Sequence, residues 1–333
     1  GRMVFDGLMP DVAGSRKTWT NYRFAQPGRF SQEHEAHLQP GDQFPFTYGV
    51  MKDHLTGKTD GILKRCLESN TCPKVFHTDT GTEFWQARSS LVVTDTSGKD
   101  IELPDNVRAY LMTSTPHSES FGAAPYPLEY CQNLSNVLQN GGPMRALLHG
   151  LDLWVRDGVE PPDSEFPSHA DGTLVAAEQE SMGFPSIPGV GFPEVINELR
   201  VTDYSTYPPS EGSSYPVFVP KVDEDGNGIA GIRLPDVSVP LATYMGWNLG
   251  SEGFAEGSLC SVIGSTIPLP ATKKERQQRA DPRLSIEERY PDHEAYVKQV
   301  EQAARRLVEK RLLLDDDVKL YVELARNRDI GID

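Results

Sequence analysis

Two short stretches place reactive side chains directly after apolar runs. Pro73-Lys74-Val75-Phe76-His77 reads as a strand and is followed by Thr78-Asp79-Thr80-Gly81-Thr82-Glu83-Phe84-Trp85. Val107-Arg108-Ala109-Tyr110-Leu111-Met112 reads as a second strand and is followed by Thr113-Ser114-Thr115-Pro116-His117. A carboxylate after one strand and an imidazole after the next are the residue types of a general base and the acid that orients it. The imidazole takes a proton near neutral pH, and a buried carboxylate fixes its tautomer and steadies the imidazolium. His117 is the candidate base. Asp79 and Glu83 both follow the first strand, and both are candidates for the acid.

Other constellations carry less. His34-Glu35-Ala36-His37 spaces its imidazoles by three residues, whereas a helical zinc pair with a catalytic Glu needs four, so no metal is expected there. Asp223-Glu224-Asp225-Gly226-Asn227-Gly228 has the look of a calcium loop, but position twelve is Leu234 rather than a bidentate Glu. Its Asp-Gly and Asn-Gly pairs, flanked by apolar runs, predict an acidic hairpin turn instead. Gly189-Val190-Gly191 sits in a Pro-rich turn rather than between a strand and a helix, and no phosphate loop or dinucleotide fingerprint appears, so no cofactor is expected.

The elements needed to position these residues follow the order strand, loop, helix, strand, loop, helix, which is the pattern of a parallel α/β sheet. A short helix is expected over 60–67 and another over 83–91. Residues 143–156 form an amphipathic helix, with Met144, Leu147, Leu148, Leu151, Trp154 and Val155 at spacings of three and four and Gly158 beyond its end. Met3-Val4-Phe5 reads as the interior of a further strand. After Pro161-Pro162 the chain becomes rich in Pro, Gly and Ser, which predicts irregular structure with β-hairpins over 159–270. Residues 271–333 are expected to be helical, with a capping box from Ser285 to Glu288 and helices over 292–311 and 315–327.

The chain carries 32 Lys and Arg against 48 Asp and Glu, a net charge of −16. Such a surface repels phosphate backbones, so a nucleic-acid partner is not expected. No apolar run is long enough to span a membrane. Cys66 and Cys72 flank a five-residue polar loop and can close a small disulfide, the alternative being two free thiols. A disulfide there would point to an extracytoplasmic compartment, periplasmic or secreted.

Several stretches resemble a group of bacterial α/β-hydrolase domain-containing proteins. They are Val4-Phe5-Asp6-Gly7, Asn21 to Pro27, Asp42 to Tyr48, Thr82-Glu83-Phe84-Trp85 and Val107-Arg108-Ala109-Tyr110. Further on come Arg145-Ala146-Leu147-Leu148, Pro185 to Gly189, Tyr244 to Asn248 and Asp281-Pro282-Arg283. Triads in α/β-hydrolases run Ser, then Asp or Glu, then His, the order in which the acid and His occur here. The resemblance implies Glu83 as acid, with Asp79 the runner-up, and His117 as base. The family typically has Gln before this His, where this chain has Pro116. It also implies a nucleophilic Ser in a glycine-flanked elbow, which falls upstream of Gly1; no G-x-S-x-G occurs in the sequence. The segment carrying that Ser is then a missing N-terminal partner of the same protein, and the present chain a fragment.

The expected fold class is α/β: the C-terminal part of an α/β-hydrolase sheet (1–158), a β-hairpin-rich extension (159–270) and C-terminal helices (271–333). The expected activity is serine hydrolysis of a small-molecule carboxylic ester through an acyl-enzyme. The alternative is a non-catalytic binding protein on the same fold. Arg23, Phe24 and Trp85 are candidates for lining the substrate pocket, from aromatic loops able to fold over the strand ends.

Overall fold

A computed structural model describes residues 2–16, 43–118, 124–194, 196–203 and 205–332. Three parallel strands form the sheet around which the site is built: β1 (Gly7–Leu8), β2 (Lys74–Thr80) and β3 (Val107–Met112), side by side in that order. Leu8 pairs with Val75, and the β2–β3 register runs from Val75 opposite Val107 to Thr80 opposite Met112. Because side chains alternate across a strand, Phe76 leaves one face of β2 while Val75, His77 and Asp79 leave the other.

Both faces are covered, as a parallel sheet requires. On the Phe76 face lies the helix α2 (Gly141–Asp157), whose Leu147, Leu151 and Trp154 pack on Phe76 and Tyr110. Trp154 stacks on Phe76 with ring centroids 5.7 Å apart, and Gly158 closes the helix in a left-handed conformation. Leu148, part of the expected apolar stripe, instead faces solvent. Val75 and Val107 meet Tyr48, Leu63 and Val92 on the opposite face.

The helix expected over 83–91 is two pieces. Helix α1 (Gly81–Gln86) ends at Ala87, Arg88 takes a left-handed φ of 55°, and a second turn runs from Ser90 to Val93. The break lets Ser89 turn its hydroxyl onto Asp79. Met3, Val4 and Phe5, expected inside a strand, precede it and are exposed.

The later segments join the same sheet and its cores. Glu165 and Ile232 each bridge in parallel to the outer edge of β3, at Tyr110 and Met112. Antiparallel pairs form between Ala242–Met245 and Ser265–Pro268 and between Arg200–Asp203 and Ser210–Ser214. In the acidic turn the main-chain N–H of Asp223 donates to the Asn227 carbonyl, and the Asp223 and Asp225 carboxylates pair with Arg233 and Arg289. Helices α3 (His293–Glu309) and α4 (Asp315–Asn327) close the chain, and Leu307 and Val318 enter the core of Phe76 and Leu147. Apolar clusters thus cross the expected boundaries near 158 and 270.

Two disulfides are formed. Cys66 bonds Cys72, and Cys131 bonds Cys260 across 129 positions. The second pair carries no local sequence signal, and only the folded chain brings its partners together.

Candidate active site

Strand β2 ends at Thr80, and α1 begins one residue later, so Glu83 lies in the first turn of a helix seated on a strand end. The Glu83 carboxylate is buried. Its Oε2 accepts from the Thr80 main-chain N–H at 2.9 Å and from the Thr80 hydroxyl. Its Oε1 accepts from Nδ1–H of His117 at 2.5 Å. His117 follows β3 at the adjacent strand end, on a loop that turns at Ser114, whose φ is 63°. That loop is pinned: the Ser114 hydroxyl accepts from the Gly228 N–H, and the Ser114 carbonyl accepts from Asn136 Nδ2.

The His117 main-chain N–H faces two acceptors, Thr82 Oγ1 at 3.1 Å and the Val262 carbonyl at 3.1 Å. Thr82 in turn donates its hydroxyl to the Gly246 carbonyl at 2.6 Å. Gly246 is required by this approach, since a Cβ there would sit 2.1 Å from the Gly81 carbonyl carbon. The His117 ring is 31% exposed, and no described residue hydrogen-bonds its Nε2.

The charges of the pair are set by opposing influences. The hydrogen bond to Glu83 raises the His117 pKa above the ordinary 6.5, against a lowering by burial. Asp11 adds to the rise, and the positive charge of Arg16 opposes it. For Glu83, burial pushes the carboxyl up, and the His117 hydrogen bond pulls it down. Asp11 follows β1 and accepts from the Thr78 hydroxyl at 2.7 Å. The ends of β1 and β2 therefore each bring a carboxyl group near His117, and neither Asp11 nor Arg16 was apparent from spacing.

Asp79 belongs to a different pair. Its Oδ2 accepts from Nε2–H of His77 at 2.7 Å and from the Ser89 hydroxyl at 2.7 Å; its Oδ1 accepts from the Gly14 N–H. The His77 Nδ1 accepts from the Tyr48 hydroxyl at 2.9 Å. Both nitrogens of this buried imidazole are taken. It has no free base position to offer, whereas His117 has one. The runner-up acid thus points into the face of the sheet covered by Tyr48, because Asp79 lies on the same face of β2 as His77.

Trp85, expected to line the substrate pocket, is placed in the interior. It is 2% exposed and packs against Phe192 and Trp247 in the core beside α1. An aromatic one helical step past a strand end turns inward here because the long 160–270 segment supplies partners. Arg23 and Phe24 lie outside the described residues, as does the His34 to His37 stretch.

The family model described as an alpha/beta hydrolase domain matches residues 1–323, and the chain belongs to that family. No curated protein and no solved structure matches it.

Proposed function

We propose that this chain supplies the base and the acid of a serine hydrolase acting on a carboxylic ester or related acyl bond. The observation that carries the reading is the His117–Glu83 hydrogen bond of 2.5 Å at neighbouring strand ends, with Nε2 left unbonded by any described residue. A hydrolase of some type follows from the family. The serine nucleophile is assigned to a segment of the same protein that this sequence does not include.

In this mechanism the serine Oγ–H gives its proton to His117 Nε2 as Oγ bonds the acyl carbon. The tetrahedral intermediate collapses, the C–O bond to the alcohol breaks, and Nε2–H protonates the leaving oxygen. Water, deprotonated by the same nitrogen, then cleaves the acyl-serine and restores the hydroxyl. Glu83 keeps the proton on Nδ1 throughout and steadies the imidazolium while it exists. Two disulfides support an extracytoplasmic setting, since such bonds persist in oxidising compartments.

Fluorophosphonate labelling of the complete natural protein tests the reading. The expected result is one modified serine in a peptide outside these 333 residues, with labelling abolished by His117→Ala. Failure of the complete, folded protein to label would instead favour a binding protein on a hydrolase fold.

A further inference from the structure

We propose that Thr80 and Thr82 are positioning residues for the His117–Glu83 pair, one gripping the carboxylate and the other the histidine main chain. The inference rests on the functional reading above and adds to it two side chains that act through Glu83 and His117.

Both threonines are buried, and each uses its hydroxyl on a named partner. Thr80 directs two donors, its N–H and its O–H, at Oε2 of Glu83. With that oxygen occupied, the plane of the carboxylate is fixed and Oε1 is left for Nδ1–H of His117. The N–H contact is one half of a helix capping box, so the start of α1 and the orientation of the acid are set by the same hydrogen bonds.

Thr82 acts from the next turn position. Its hydroxyl hydrogen is committed to the Gly246 carbonyl, which turns a lone pair toward the N–H of His117. Thr82 and Glu83 are consecutive residues, yet they hold His117 at two separate points, main chain and ring. Main chain and ring of His117 are thus both tied to the first turn of α1, with the Val262 carbonyl sharing the main-chain N–H. The buried Thr82 hydroxyl links α1, the Gly246 strand end and the loop after β3.

A purely structural role would change stability and leave the electronic state of the imidazole alone, so the test reads the imidazole directly. The present chain serves for this, because both partners of the pair lie in it. Proton NMR follows the His117 Nδ1–H resonance, and carbon- or nitrogen-detected titration gives its pKa, in the unsubstituted chain and in Thr80→Val, Thr80→Ser, Thr82→Val and Thr82→Ser. Circular dichroism confirms folding of each variant. The unsubstituted chain is expected to show a low-field Nδ1–H signal and a pKa above 6.5. Both valine variants are expected to move the signal upfield and lower the pKa, and both serine variants, which keep the hydroxyl, to restore them.

In the complete protein the valine variants should lower kcat by about 10-fold or more while KM holds, the pattern of lost positioning rather than lost binding. Valine variants with the resonance and pKa of the unsubstituted chain would overturn the proposal and leave the pair intact. Absence of the low-field signal and of the raised pKa from the unsubstituted chain itself would remove the pair, and the proposal with it.

Discussion

At His117 the imidazole must be neutral to act as a base, and Glu83 stabilises its charged form. The pKa is therefore raised above 6.5, and activity is expected to grow as pH rises through that higher midpoint. Replacing Glu83 by Gln removes the negative acceptor. The expectation for the complete protein is an activity midpoint displaced to lower pH and a kcat reduced by about 10³–10⁴-fold, read from a pH–rate profile. An unshifted midpoint would mean that the pair does not control the titration. The two candidate acids differ in the element that carries them: Asp79 is the penultimate residue of β2, and Glu83 lies in the first turn of α1. Sequence placed Asp79 and Glu83 four residues apart after a strand expected to stop at His77, and could not tell that the strand runs on through Asp79 to Thr80. The fold separates them, sending Asp79 to His77 and Glu83 to His117. Thr80 and Thr82 were invisible for a related reason: a threonine's hydrogen-bond partner is a tertiary fact, and Gly246 lies 164 positions from Thr82.

At the scale of elements, the site depends on β2 and β3 ending at the same level. Phe76, fully buried between Tyr110 and Trp154, ties β2 and β3 to α2. Phe76→Ala should destabilise the chain by about 3–5 kcal/mol, the usual cost of emptying an aromatic site in a core, measurable by denaturant unfolding. A cost below about 1 kcal/mol would contradict the packing described. These elements were largely legible: the strand at 107–112, the helix near 143–156 and the helix over 315–327 all follow apolar periodicity that needs no distant partner. The helix near 83–91 was not, because its break at Arg88 answers to Asp79 rather than to local propensity. The surroundings of Trp85 were not legible for the same reason. Its burial depends on Phe192 and Trp247, more than a hundred residues away.

Across the whole molecule, one covalent bond joins segments that hold the His117 loop. Cys260 lies two residues before Val262, whose carbonyl accepts from the His117 N–H. Cys131 lies five residues before Asn136, which grips the Ser114 carbonyl. Reducing or replacing Cys131–Cys260 should lower stability by about 2–5 kcal/mol, and Cys66–Cys72, which closes a much shorter loop, should cost less. Thermal unfolding of Cys131→Ser/Cys260→Ser beside Cys66→Ser/Cys72→Ser checks the order; equal midpoints would contradict it. The central claim, that His117 is the base of an ester hydrolase, is tested most directly by kcat for an activated ester with the complete protein and its His117→Ala variant. The account predicts a fall of about 10³-fold or more, as for loss of a triad histidine. An unchanged rate in the folded variant would contradict it.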